Sequence, residues 1–398
     1  MINSIYKINS FRKYQASTHL DFLRGIAALE VLLGHGRNLF FVDREEIIQK
    51  NILIDLLYFI TGFGHQAVII FFVLSGFFIS SSVFKSYQKD RWSWKIYLIN
   101  RLSRIEIVLI PAIILTYCWD SFGIYCFGLD GVYGGNGLGS NVANYNIADR
   151  LNPVTLVGNI LFLHNVFVPT FGSNGALWSL ANEWWYYITF PLLLSLFFFH
   201  SRLSKKALIV SGLSLSVVTY LLLQSGMIYS FPIWLMGTGV CLAPVLPILN
   251  KKKVIAYAAI TFFLILLGCI LAIIKLQLIK NDFIADSLVG LATASLIYTL
   301  CNVNTEFNRN NFYSKISTLL SQFSYTLYLV HLPILIFAKA YLTTINRWQP
   351  NLLNMIFALL IILLVLIYAF VIYSITEANT EKVRYILVNH IKPRSNHN

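Results

Sequence analysis

Long apolar runs alternate with short polar connectors along this chain, and the runs have the length of a bilayer crossing. A spanning helix needs about 20 mainly apolar residues. Ten stretches meet that need: 20–42, 64–84, 102–119, 177–199, 207–224, 229–249, 254–274, 283–301, 323–343 and 352–375. Two other segments are half-apolar: 45–63 reads as an interfacial helix, and 154–171 as a re-entrant or interfacial piece packed over the outer face. The second follows a glycine cluster, Gly131, Gly134, Gly135, Gly137 and Gly139. A phosphate loop needs a strand before it and a helix opening from it. The pattern supplies neither, so the cluster reads as flexible loop. No internal repeat and no matched pair of broken helices is visible, which argues against an inverted-repeat transporter. The fold class expected is all-α and polytopic, with about ten transmembrane helices.

Composition narrows the class. Apolar residues make up 57% of the chain and charged residues 12%, against roughly 45–50% and ~25% in soluble proteins. Disordered chains, rods and ordinary soluble enzymes are thereby excluded. A net charge of +13 by itself suggests nucleic acid. Its distribution says otherwise, because Lys and Arg cluster in connectors between apolar runs, as in cytoplasmic loops. With the N-terminus inside, 21 of the 30 Lys and Arg fall in inner connectors and 6 in outer ones. Both termini are therefore expected in the cytoplasm, with a cytoplasmic segment at 1–19, a membrane domain at 20–375 and a cytoplasmic tail at 376–398. No cleavable signal peptide is recognisable. Five cysteines are too scattered for a zinc site and too few for a disulfide framework. Cys118 and Cys126, near one membrane face, read as unpaired in preference to paired.

Charged groups inside spans are costly and face a bundle interior or cavity, so they carry the functional signal. Arg24 and His35 are eleven residues apart, about three turns, which puts them on one helix face ~16 Å apart along the axis. Arg24 lies at the cytoplasmic mouth and His35 in the outer half. Headgroup snorkelling by Arg24 and a plain interhelical bond from His35 stay open as alternatives. Glu30 points about 140° away from His35 and reads as a structural partner for another span. Glu183 lies ~9 Å from the outer end of its span and His35 ~10 Å from its own. Equal depth allows a contact in which the carboxylate orients the imidazole. The surrounding Trp178, Trp184, Trp185, Tyr186 and Tyr187 form an interfacial belt. In the ninth span Ser324, Tyr328 and His331 share a face, and Pro333 opens the backbone beside them. Ser75 and Gly76, near the middle of the second span, read as a close-packing site ahead of a nucleophile. Arg101 and Arg104 suit a phosphorylated cytoplasmic ligand, and equally the positive-inside signal.

Five stretches together resemble the membrane acyltransferase-3 family: LDFLRGIAALEVLLGH (20–35), FFVLSGF (71–77), RLSRI (101–105), LWSLANEWWYYITFP (177–191) and FSYTLYLVHLP (323–333). They stand in the family's order and spread over most of the chain. The family's Arg and His of the first span fall on Arg24 and His35, and its third-span Arg pair on Arg101 and Arg104. Its Glu falls on Glu183, and its late Ser-Tyr and His on Ser324, Tyr325 and His331. Two features depart from the pattern. The proline after the Arg pair is delayed to Pro111, and the fused hydrolase-like domain of many relatives is not expected here.

The resemblance implies an O-acyltransferase of the bacterial inner membrane, moving an acetyl group from cytoplasmic acetyl-CoA to a sugar hydroxyl of a surface or lipid-linked glycan. Arg24, Arg101 and Arg104 are then expected to hold the CoA phosphates, and His35, supported by Glu183 or another acceptor, to act as general base. Tyr325, Ser324 or His331 is expected to meet the oxyanion, and Trp178, Ser324 and Ser75 to contact substrate. No metal and no nucleic acid is expected. The partners are membrane lipid and a glycan or other hydroxyl acceptor, reached directly or through a separate extracytoplasmic acyltransferase. Two other readings compete: a glycan or drug transporter with His35 and Glu183 as proton relay, and an inert subunit of a polysaccharide assembly complex.

Overall fold

The computed structural model describes residues 14–138, 145–199, 204–246, 248–249, 252–303, 311–343 and 346–391. The ends of the two expected cytoplasmic segments (1–13 and 392–398), Gly139 and parts of several connectors lie outside these residues. The main helices are α1 (Tyr14–Phe40), α2 (Ile52–Ile60), α3 (Gly64–Gln88), α4 (Trp94–Phe127), α5 (Pro153–Ile160), α6 (Trp178–Phe197) and α7 (Lys205–Gln224). They continue as α8 (Phe231–Leu242), α9 (Lys253–Lys275), α10 (Asp282–Asn302), α11 (Phe312–Thr343), α12 (Leu352–Ile375) and α13 (Thr380–Ile391). Asn51, Ser93, Asn152, Ser204, Asn281 and Asn351 cap helix starts with side-chain oxygens, the role for which their short polar groups are suited.

Among the described residues, seven helical stretches are long and apolar enough to cross a membrane: Ile52–Gln88, Trp94–Phe127, Lys205–Gln224, Lys253–Lys275, Asp282–Asn302, Phe312–Thr343 and Leu352–Asn389. The chain is an all-α, multi-pass membrane protein. Two expected spans stay outside that set because of their chemistry. Helix α1 carries Asp21, Arg24, Glu30 and Arg37, and α6 opens on a polar and aromatic stretch. A third, expected at 229–249, is corrected in length. Helix α8 has 12 residues, a rise of ~18 Å, which the turn Met227–Tyr229 before it extends into one apolar helical run, Met227–Leu242. Pro244 ends it by forcing Ala243 into extended backbone, φ −66° and ψ 140°.

The polar helices are interior and the uniformly apolar ones peripheral, as burial of charge requires. Helix α1 packs along α11 and α3, α11 also meets α4 and α12, and α8 is wedged between α3 and α10. On the outside, α7, α9 and α12 present Leu213, Ile265 and Leu364 among other exposed apolar residues. Helices α3 and α8 meet at backbone distance. A Cβ on Gly76 would lie 1.9 Å from the Trp234 carbonyl oxygen, and one on Gly237 2.0 Å from that of Val73. Helices α2 and α5 fall in the two segments read as interfacial, and they expose Ile52, Leu53 and Leu56, and Val154 and Val157. Near α2, Arg347 donates to both oxygens of Asp43 at 3.0 and 2.7 Å. That pairing holds the Asp43 carboxyl below the usual carboxylate range. Cys118, Cys126 and Cys269 are free thiols.

Prolines inside helices remove a backbone bond, and in lipid the released carbonyl needs another donor. Pro191 in α6 releases the Tyr187 carbonyl, which accepts the Tyr97 hydroxyl at 2.9 Å. Pro333 in α11 releases the Leu329 carbonyl, which accepts the Asn174 amide at 2.8 Å. Asn174, fully buried, reaches in from the connector before α6, and its amide also donates to Thr116 Oγ1 at 3.2 Å. The connector is anchored beside it, where Asp120 accepts the Ser173 backbone and hydroxyl at 2.7 and 2.6 Å.

Replacing Asn174 by alanine should therefore cost about 1–3 kcal/mol, the penalty of an unpaired buried carbonyl, seen as a lower Tm in detergent. In a Pro333→Ala background the helix supplies its own donor to Leu329. The Asn174→Ala cost should shrink there, and an undiminished cost would refute the pairing.

Candidate active site

A cavity of about 400 Å³ lies between α1, α3, α4, α6 and α11. Its walls follow helical spacing. Ser179, Glu183 and Tyr187 share one face of α6, and Ser324 and Tyr328 share one face of α11 with Tyr325 beside them. Helix α3 forms the long wall from Val68 through Ser75 to Ser82. One end is cationic. Arg24 from α1 meets Arg101 and Arg104 from α4 there, with Asp21 beside them.

The three guanidinium groups are held unequally. Arg24 pairs with Asp21 at 2.6 Å and lies 5.9 Å from the Phe78 ring. Arg101 sits 5.7 Å from the Tyr97 ring. The Nε atoms of both are buried without a hydrogen-bond partner, while Arg104 is exposed at the cavity edge. Guanidinium groups clustered in this way match a ligand carrying several anionic oxygens, such as phosphate.

Farther along the cavity a chain of donors ends at Glu183. The Trp234 indole donates to Ser75 Oγ at 3.2 Å, Ser75 and Tyr187 hydroxyls lie 3.0 Å apart, and the Tyr187 hydroxyl donates to Glu183 Oε2 at 2.9 Å. When Glu183 is ionised it only accepts, and the proton of Tyr187 then points at it. Next to this chain the Ser179 and Tyr328 hydroxyls are 2.8 Å apart.

The histidines pair with each other. His35 Nδ1 and His331 Nε2 are 2.8 Å apart, with rings stacked at 5.1 Å and 11°. His331 Nδ1 lies 3.0 Å from the Leu327 carbonyl, which can only accept. In the neutral pair, His331 therefore carries its proton on Nδ1 and accepts from His35 Nδ1–H, so the lone pair of His35 is on Nε2. The expected contact between His35 and Glu183 is replaced by this pair. Neither histidine lines the cavity. Tyr328, which does, has its ring 6.1 Å from that of His331.

The structure also revises the three expected oxyanion donors. Both nitrogens of His331 are engaged, the Tyr325 hydroxyl donates to the Ile105 carbonyl at 3.3 Å, and Ser324 donates to the Ser321 carbonyl at 2.8 Å. Trp178 lies above the cavity next to Ser179, with its ring edge-on to Phe72 at 6.1 Å. Glu30 accepts the Phe63 backbone N–H at 2.8 Å, the structural role expected of it. Sequence reasoning missed Tyr187, four residues after Glu183 and hence on its face. It also missed Trp234, for which no local signal exists, and the pairing of Asp21 with Arg24.

The direction of the histidine chain is measurable. In protein labelled with ¹⁵N-histidine and assigned through His35→Gln and His331→Gln, both rings should show a protonated Nδ1 and a bare Nε2. A proton on Nε2 of His35 would reverse the chain.

A family model described as an acyltransferase domain matches residues 18–374, spanning the histidine pair and nearly all of the cavity wall. No curated protein and no solved structure matches the chain. With the family model covering nearly its whole length, the chain belongs to the acyltransferase-3 family and is a membrane acyltransferase.

Proposed function

We propose that the enzyme takes an acetyl group from cytoplasmic acetyl-CoA and places it on a sugar hydroxyl of a surface or lipid-linked glycan. Its setting is the bacterial inner membrane, crossed about ten times, with both termini in the cytoplasm. The observation that carries this reading is the meeting of Arg24, Arg101 and Arg104 in one cavity with Glu183, Tyr187 and Tyr328. The excess of Lys and Arg on one side of the membrane puts the arginine end toward the cytoplasm, where the phosphates of CoA would meet it.

In this reading the thioester enters past the arginines and the hydroxyl arrives from the other end, beside Tyr328. His35 stands behind the Tyr328 wall of the cavity, so the acceptor hydroxyl must pass Tyr328 before His35 Nε2 removes its proton as the new C–O bond forms. The C–S bond then breaks, and the departing CoA thiolate recovers a proton from the imidazolium. His331 is a positioning residue that fixes the His35 tautomer through the Leu327 carbonyl. Developing oxyanion charge needs a donor at the acceptor end of the cavity, where the paired Ser179 and Tyr328 hydroxyls line the wall and one of their two protons is free. Ser324 and Tyr325 can serve only by leaving their backbone acceptors. Glu183 orders the Tyr187 and Ser75 hydroxyls along the acceptor path.

The test compares surface glycans from a host lacking the gene with those from the same host restored with wild-type or variant protein, read by mass spectrometry for a base-labile ester. Wild type should restore the ester. Stably inserted His35→Ala should lose at least ~100-fold in transfer rate, the lower end of general-base contributions. Arg101→Ala should raise the KM for acetyl-CoA about tenfold, the loss of one charge-assisted contact of ~1.5 kcal/mol. Full transfer by His35→Ala sinks the mechanism. An ester indifferent to deletion turns attention to other acceptors or to transport, which forms no ester.

A further inference from the structure

A histidine–aspartate pair lies beyond the opposite end of the cavity. His65, in the first turn of α3, stands one turn before Val68, where the cavity wall on that helix begins. Arg24 lies against Phe78, ten residues farther along, or ~15 Å of helix. His65 Nε2 is 3.0 and 2.9 Å from the two oxygens of Asp286 on α10. Carboxylate oxygens accept, so Nε2 carries the proton and Nδ1 presents its lone pair when the ring is neutral. Asp286 is 13% exposed and His65 51%, so the carboxylate is tucked beneath and the imidazole is shown to the surroundings.

Trp178 completes the group. Its indole lies within 9° of parallel to the His65 ring, centroids 6.4 Å apart. The start of α6 that carries it is pinned from the preceding connector. His164 Nε2–H donates to the Leu177 carbonyl and the Asn165 amide to the Trp178 carbonyl, each at 2.8 Å. The next residue, Ser179, lines the cavity. Beyond the cavity end remote from the arginines there thus lie two near-parallel flat rings with a carboxylate tucked beneath one of them.

We propose that His65, Asp286 and Trp178 form a subsite for a polyhydroxylated ring, the acceptor of the acyl group. Such a ring has C–H bonds on one face, which suit an indole, and edge hydroxyls, which donate to an imidazole nitrogen or a carboxylate. Asp282, one turn earlier on α10, adds negative charge that disfavours a phosphate or carboxylate ligand here. The three act as positioning residues. Naming the ring an acceptor rests on the transferase reading above; binding of the ring does not.

The experiment therefore has two arms on the full-length protein in lipid nanodiscs. Saturation-transfer NMR with a panel of methyl pyranosides, and glycerol as the acyclic control, reads binding without catalysis. Wild type should show ring-selective transfer, and His65→Ala, Asp286→Asn and Trp178→Ala should lose it while keeping wild-type helix content and monodispersity. The second arm follows label from [¹⁴C]acetyl-CoA into the same pyranosides. Asp286→Asn should raise the acceptor KM at least tenfold and leave the acetyl-CoA KM within twofold. Wild type that binds no ring, or Asp286→Asn that binds as wild type, overturns the subsite. Ring binding lost in the variants, with no label transferred by wild type, upholds the subsite and removes instead the reading of that ring as an acetyl acceptor.

Discussion

A carbonyl released by proline in an apolar medium must find a donor, and two such bonds hold this site in register. The Tyr97 hydroxyl reaches the carbonyl of Tyr187, the residue whose own hydroxyl binds Glu183. The Asn174 amide reaches the carbonyl of Leu329, which lies between Tyr328 and His331 in the chain. Each bond thus ties a cavity wall to a neighbouring element at the residue where the chemistry is placed. The prolines open the helices, and the donors determine how far. Asp120 and Ser173 extend the same logic outward by fixing the connector that delivers Asn174.

Charge is distributed along the cavity as unevenly as polarity is across the bilayer. Arg24, Arg101 and Arg104 gather at one end with Asp21 beside them, and Asp286 lies beyond the other beside His65. Aromatic rings back two of the guanidinium groups, which lowers the cost of holding cations away from water. On the proposed reading, the cationic end favours the anionic donor, while the acidic end repels that donor and leaves a neutral hydroxyl acceptor unopposed. Selectivity of this kind needs unfavourable encounters as well as favourable ones.

The sequence discloses the site's longitudinal coordinates more fully than its angular ones. Rise per residue places Arg24 and His35 three turns apart on one helix, and their levels hold. The same reasoning sets His35 and Glu183 at equal depth, yet His35 turns to His331 and Glu183 to Tyr187. Azimuth is decided by which helices pack together, and depth counted from helix ends carries no information on it. The face shared by Ser324, Tyr328 and His331 is legible from spacing, but the backbone acceptors of Ser324 and Tyr325 are not. At 229–249 the apolar count outweighed Pro244, whose effect on Ala243 ends α8 early. His65 and Asp286 went unremarked because each stands at a helix start, outside the search for charge deep in spans. Their meeting depends on α3 and α10 packing side by side.

The Gly76–Gly237 crossing makes the membrane midplane a calliper for this chemistry. With backbones this close, a side chain added at Gly76 or Gly237 must prise α3 from α8. Trp234 rides on α8 and Ser75 on α3, so the first bond stretched is the one that starts the donor chain to Glu183. A purely steric change, with no polar atom touched, would then leave the Ser75 hydroxyl without its anchoring donor and the order at Glu183 slackened. Small side chains at that crossing therefore set a tolerance for the active cavity, measured in tenths of an ångström between two helices that carry no charge at the point of contact.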